Sequence, residues 1–168
     1  MTPAPPETAI RVDALDEGST REIARVARRM RSTLEEVLGA RRGRRMYTLD
    51  WLKRRVLFHL DPEREAAVFV ARAGDAVVGH TIVRAERDAE GRFGLFSTTY
   101  VEPAQRRRGV AEKLLRRGER WMRARGLRRA ATYTSETNAK LIALYEKGGY
   151  AVVRRYPRKR MLELSRPL

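Results

Sequence analysis

The chain contains no cysteine, which removes a disulfide framework, a thiolate nucleophile and every cysteine-built metal site together. Histidine is nearly as scarce, and His59 and His80 are too few for a histidine-built metal centre. No apolar run approaches the roughly 20 residues that span a bilayer. The opening stretch, Met1-Thr-Pro-Ala-Pro-Pro-Glu7, has neither a basic n-region nor an apolar h-region. A cytoplasmic protein without membrane partners is therefore expected. Lysine is also rare. Only Lys53, Lys113, Lys140, Lys147 and Lys159 are lysine, so 32 of the 37 basic residues are arginine, a bias that a GC-rich genome would produce by itself.

What is present is enough for one ordinary core. The 168 residues are 42% hydrophobic and 35% charged, with a net charge of +16, which fits one soluble domain with a densely charged surface and not a disordered chain. The charge is unevenly spread. Residues 61–101 carry a net −2 and residues 102–168 a net +13, so the excess lies where an anionic partner would meet the second half.

Along the chain, the Pro-rich residues 1–7 are expected to be loose and Thr8–Asp13 to form a short strand. Ser19 followed by Glu22 fits a capping box, with Ile23, Val26, Ala27 and Met30 at helical spacing behind it, so a helix is expected to about Arg31. Glu35–Leu38 reads as a further turn closed by Gly39, and Arg41–Arg45 as a basic loop without apolar partners. Thr48 caps a helix carrying Leu49, Leu52, Val56 and Leu60, which Asp61-Pro62 ends. His59 falls in its last turn, where a cation suits the helix dipole. Three strand-like runs follow at 66–73, 76–86 and 92–101, separated by turns at Gly74 and Gly91, and predict an antiparallel meander. Val110, Leu114, Leu115, Gly118, Trp121 and Met122 then predict a long amphipathic helix stopped at Gly126. A strand at 128–134, a helix at 138–147 and strands at 150–155 and 159–164 complete the order. Trp51 and Trp121, at helical positions, are expected to anchor core or groove.

The segment Val101-Glu-Pro-Ala-Gln-Arg-Arg-Arg-Gly-Val-Ala111 joins a strand to that long helix. Such a glycine loop aims successive backbone N–H groups outward at the positive end of the helix dipole, which makes an anion site. Arg106-Arg-Arg-Gly109-Val-Ala111 resembles the Q/R-x-x-G-x-G/A signature of the GCN5-related N-acetyltransferases. The resemblance extends to Asn138, Tyr145, Gly149 and Tyr150, which match a helix-opening Asn, a Tyr seven positions on, and a Gly-aromatic pair. It is strongest over residues 66–156, an expected acetyl-CoA-binding core, with residues 14–62 as the family's variable acceptor-side helices in a single 1–168 domain. The fold it implies is an α/β (α+β) one: a mixed, mostly antiparallel sheet of six to seven strands with a splayed parallel pair, flanked by four to five helices.

Roles follow from the resemblance position by position. The backbone of Arg106, Arg107, Arg108, Gly109, Val110 and Ala111 would hold the pyrophosphate of acetyl-CoA. Thr99, Tyr100 and Val101 would pair with the pantetheine arm like an added strand, and Asn138 would bond to the same arm. The strand holding Val101 should splay from the one holding Ala131 to Tyr133 to make room. Tyr145 would protonate the leaving thiolate; without the upstream loop, the same tyrosine reads as core at helical spacing from Leu141.

The group that deprotonates the amine is the open point, because the fourth strand, Leu95-Phe-Ser-Thr-Thr-Tyr100, offers hydroxyls and no carboxylate. Glu102 and Glu136 are the candidates, acting through water; the alternatives are a structural turn acid at Glu102 and a helix cap at Glu136. His80 either faces the acceptor or is a satisfied strand histidine. Arg41, Arg42, Arg44 and Arg45 either select an acidic acceptor or lie in a solvated loop.

The expected reaction is acetyl transfer from acetyl-CoA to a primary amine by direct attack. The acceptor is a small molecule or, as the alternative, a protein N-terminus or lysine, and a homodimer is among the options. Two rival readings remain: a CoA-binding domain without catalysis, and a nucleic-acid binder, which the charge favours but no zinc-finger, RRM or helix-turn-helix pattern supports.

Overall fold

The computed structural model describes residues 8–168, so the expectation for residues 1–7 lies outside the described part. Its strands are β1 (Ile10–Ala14), β2 (Ala66–Ala73), β3 (Ala76–Asp88), β4 (Gly91–Val101), β5 (Arg129–Ser135), β6 (Ala151–Tyr156) and β7 (Met161–Pro167). Its helices are α1 (Thr20–Leu38), α2 (Ala40–Met46), α3 (Leu49–Leu60), α4 (Val110–Ala124) and α5 (Ala139–Lys147). The strands form one sheet in the order β1-β2-β3-β4-β5-β7-β6, antiparallel throughout except for the parallel pair β4 and β5. This is the mixed sheet with one parallel pair that the family resemblance implied.

Strand periodicity divides the core into two layers. On β2, Val68 and Val70 turn to one face, where they meet Val26 of α1 and Leu52 and Val56 of α3. Phe69 and Ala71 turn to the other, where Leu114, Leu115 and Met122 of α4 and Tyr145 of α5 fill the space. The capping box at α1 forms with a shift. Ser19 Oγ accepts from the Glu22 amide at 3.2 Å, but the Glu22 carboxylate reaches back to the Asp16 amide at 3.0 Å and also pairs with Arg72 of β2. The helix is thereby fastened to the sheet as well as to its own first turn.

Three sequence expectations are corrected on the acceptor-side helices. The first helix does not stop near Arg31 but runs unbroken to Leu38 and ends at Gly39, whose φ of +86° only glycine adopts without strain. Arg41, Arg42, Arg44 and Arg45 lie on a helix, α2, and not in a loop. The reason is tertiary: Gly43 packs so closely on α1 that a Cβ there would sit 2.5 Å from the Glu35 amide nitrogen, and Arg44 Nε bonds to Glu35 Oε1 at 3.2 Å. Finally, His59 is not a surface cation at the end of α3. It is buried, donates from Nδ1 to the Arg55 carbonyl at 2.7 Å, and burial followed by the charges of Arg55 and Arg84 pushes its pKa down to about 4.

Candidate active site

The parallel pairing of β4 with β5 is confined to Gly94–Phe96 against Ala130–Thr132. Beyond it, β4 continues to Val101 and β5 to Ser135 without pairing to each other, which is the predicted splay. Its local cause is a bulge. Ile82 of β3 faces Thr98 while Val83 faces Phe96, so Ser97 is an extra residue that bends β4. The stretch Thr98–Val101 keeps its partner β3 on one side and leaves the side toward β5 without a strand.

Tyr145 of α5 reaches Thr99 on the part of β4 that β5 does not pair with. Its ring is fully buried, edge-on to Phe96 and Tyr150 at centroid distances of 5.7 and 4.9 Å. Its hydroxyl lies 3.4 Å from Thr99 Oγ1, which in turn lies 2.8 Å from Thr81 Oγ1. Burial raises the phenol's pKa above its ordinary value, with Glu119 adding to the rise and hydrogen bonding to Thr99 and Thr132 opposing it. Tyr145 is therefore a phenol that keeps its proton, and the raised pKa makes it a weaker acid than a free phenol. Its burial fits the core reading, and its hydroxyl also reaches the unpaired part of β4.

Asn138 caps α5. Its Oδ1 accepts from the Leu141 amide at 3.3 Å and its Nδ2 donates to Thr134 Oγ1 at 3.2 Å, so the carboxamide is engaged at both ends by protein. Glu136 does not cap this helix as one reading expected, because Asn138 does. The Glu136 carboxylate instead accepts from Arg160 Nε at 2.8 Å and ties the β5–α5 turn to the β6–β7 hairpin.

After Val101 the chain makes one 3-10 turn at Pro103–Gln105 and enters the loop before α4. Side chains cap α1, α3 and α5, through Ser19, Thr48 and Asn138, but α4 starts at Gly109 with no side-chain cap. The first-turn amides that a helix cannot satisfy internally are thus open to an external acceptor. Gly109 has φ +72°, and a Cβ built there would meet nothing within 4 Å, so its backbone borders open space. The cleft at this helix start is lined by Val101, Arg107, Gly109 and Ala111 and, across it, by Lys140, Leu144 and Lys147 of α5. Open amides, a positive helix end and Lys140 suit a diphosphate, while Lys147 is paired at 2.6 Å with Glu112, which also lines the cleft. Sequence reasoning did not single out Lys140 and Lys147; their i, i+7 spacing puts them on one face of α5, which borders this cleft.

Two of the loop's arginines point elsewhere. Arg106 Nε donates to the Val101 carbonyl at 2.8 Å and its Nη2 to Glu36 of α1 at 2.8 and 3.2 Å, which braces β4 against α1. Arg108 Nη1 donates to Gln105 Oε1 at 2.5 Å within the loop. Glu102, at the end of β4, forms ion pairs with Arg29 and, at 3.5 Å, Arg25, both on α1. Its carboxylate is committed to holding α1, in line with the structural alternative.

His80 pairs with Tyr100 across β3 and β4, with ring centroids 6.2 Å apart, on the face turned to α1. It is fully buried, and burial with the neighbouring charge of Arg29 pushes its pKa down to about 3. Among the described residues its Nε2 has no hydrogen-bond partner, so it is not the satisfied strand histidine of the simpler reading. Trp121 is buried as expected, but Trp51 is 38% exposed and stacks on Tyr47 at 4.1 Å, so it anchors no core.

Among the described residues no group of three or more His, Asp or Glu could hold a metal ion, and no helix is long and apolar enough to cross a membrane. Comparison with known proteins agrees with the geometry. The chain aligns at 45% identity over 56 residues with the acetyl transferase GW6a of Oryza sativa subsp. japonica, covering 33% of this chain and only 13% of that protein. An acetyltransferase from Thermus thermophilus superposes with a TM-score of 0.74 at 18% identity, covering 96% of this chain and 99% of that one. The yncA protein of Salmonella typhimurium, a structure with its cofactor acetyl-CoA, superposes with the same TM-score and identity over 95% and 94% of the two chains. The model of the Acetyltransferase (GNAT) family matches residues 27–150, so most of the sequence, the splayed sheet and the glycine loop agree: the chain belongs to the GNAT acetyltransferase family.

Proposed function

We propose that the protein is an acetyl-CoA-dependent N-acetyltransferase that moves acetyl to a primary amine by direct attack. The observation that carries this reading is the conjunction of an uncapped, glycine-opened α4 with a β4–β5 gap and a buried, protonated Tyr145 whose hydroxyl reaches Thr99. Acetyl-CoA supplies an activated thioester when bound. Its diphosphate suits the amides from Arg107 to Ala111, with Lys140 alongside, and its extended arm suits the open side of Thr99–Val101. Backbone N–H groups of β4 on that side would stabilise an oxyanion as it forms. Tyr145 donates its proton to the departing thiolate, and Thr99, 3.4 Å away, orients the hydroxyl. The chain offers no cysteine through which an acyl-enzyme would pass, which fits direct attack.

Neither candidate base is free. Glu102 and Glu136 are both ion-paired with arginines, so the amine either enters already neutral or gives its proton to water. That observation also supports the second reading, a CoA-binding domain without catalysis. Incubating the protein with acetyl-CoA and pools of small amines and peptides, and reading acceptor masses, separates the two. A gain of one acetyl group on an acceptor supports transfer, whereas cofactor binding without any mass gain supports the second reading.

A further inference from the structure

We infer that α2 and the start of α3 form a docking surface for an acidic segment of a polypeptide acceptor; this rests on the N-acetyltransferase reading and names its substrate class. Arg41, Arg42, Arg44 and Arg45 are all exposed on a helix of seven residues. Only Arg44 has a carboxylate partner among the described residues, Glu35 at 3.2 Å. Arg41 stands three and four positions from Arg44 and Arg45, and Arg42 three from Arg45, so like charges face one another at the spacings where helix neighbours meet. α2 has no side-chain cap and no acid in its first turn to offset that repulsion. It is held in place by the Gly43 contact with α1. Carboxylates arriving from a partner would relieve the repulsion and form forked guanidinium pairs.

The same surface carries an apolar strip. Met46, Tyr47 and Trp51 are 41, 38 and 38% exposed, and the Tyr47 and Trp51 rings stack at 4.1 Å and 11°. Arg31 of α1 donates to the Tyr47 carbonyl at 3.3 Å and fixes the strip relative to α1. α2 connects to the cofactor loop through α1. Gly43 of α2 lies on Glu35, and the next residue, Glu36, holds Arg106 of the cofactor loop at 2.8 Å. Guanidinium groups interleaved with apolar rings suit a chain that alternates carboxylates and apolar side chains. A polypeptide also carries aliphatic amines, an α-amino group of pKa about 8 and lysines of pKa about 10, that become strong nucleophiles once neutral, whereas the ring amino groups of nucleic acids are conjugated and weakly nucleophilic.

Trp51 supplies a readout that does not need catalysis. A ten-residue peptide rich in Glu with a free N-terminal amine is titrated against the protein's tryptophan fluorescence, beside the same peptide with Gln for Glu and beside oligo-uridylate. Binding of the Glu peptide is expected, with a signal lost in Trp51→Phe and an affinity at least tenfold weaker in Arg41→Gln/Arg42→Gln/Arg45→Gln. The matching triple Lys variant, which keeps the charge but not the forked pairing, should bind more tightly than the Gln variant and less tightly than the wild type, and guards against misfolding. Equal affinity for Glu and Gln peptides, or oligo-uridylate binding more tightly with the same dependence on the three arginines, overturns the proposal. Acetyl-CoA binding is measured on the same samples: its absence in the wild type defeats the N-acetyltransferase reading, while an unselective peptide response defeats only the docking surface.

Discussion

The Tyr145 hydroxyl lies 3.4 Å from Thr99 Oγ1 across the opening between β5 and the bent end of β4. One residue comes from the helix that Asn138 caps and the other from the strand that the Ser97 bulge turns outward. The phenol proposed as proton donor is therefore positioned by two independent features of the fold, and its burial keeps it protonated.

Tyr145→Phe removes the donor and leaves the ring contacts with Phe96 and Tyr150 in place. Turnover should fall by about 10²-fold or more, the scale of a lost general acid, while the KM for acetyl-CoA stays within a few-fold. Steady-state kinetics with a saturating acceptor make the comparison, and unchanged turnover would return Tyr145 to a purely structural role.

Glu102→Gln tests whether the end of β4 supplies a base. With Arg29 and Arg25 holding its carboxylate, the substitution should cost about 1 kcal/mol or less, as expected for a partly exposed ion pair. It should leave the acid limb of the pH–rate profile where it is. A loss of that limb would instead assign Glu102 to proton removal from the amine.

Much of this arrangement was legible in the sequence, for reasons that differ by element. The meander β2–β4 and helix α4 announce themselves through apolar periodicity, and the Thr48 and Asn138 caps through residue type at a helix start. The splay has no such signal. Leu95-Phe-Ser-Thr-Thr-Tyr100 shows no break at Ser97, so only the family resemblance pointed to a gap there. Helix α2 was invisible because four arginines and a glycine carry no apolar stripe; what makes them helical is the close approach of Gly43 to α1, a tertiary effect. For the same reason His59 and His80 could not be classed by position: burial, which the sequence does not show, decides that both stay neutral.

That burial has a pH consequence. An unfolded chain protonates histidine below about pH 6.5, whereas folded His59 and His80 resist until about pH 4 and 3. The unfolded state thus binds more protons in this window, so their contribution is full above pH 6.5 and is lost as the pH falls toward 4. Each buried histidine should add a slope of up to about 1.4 kcal/mol per pH unit. Denaturant unfolding between pH 7 and 4.5 should show a flatter profile in His80→Gln than in the wild type. Parallel profiles would mean that His80 charges equally in both states.

The glycine loop is the part on which the cofactor reading stands, and calorimetric titration with acetyl-CoA tests it most directly. The wild type should bind, and at a ligand concentration of 100 times Kd should gain about 2.7 kcal/mol of stability by linkage. Gly109→Glu places a side chain and a negative charge where the open space and first-turn amides of α4 now lie. It should abolish both the heat of binding and the rise in Tm while the apo protein stays folded. Binding of acetyl-CoA with wild-type affinity by Gly109→Glu, or no binding by the wild type, would contradict the assignment of this loop.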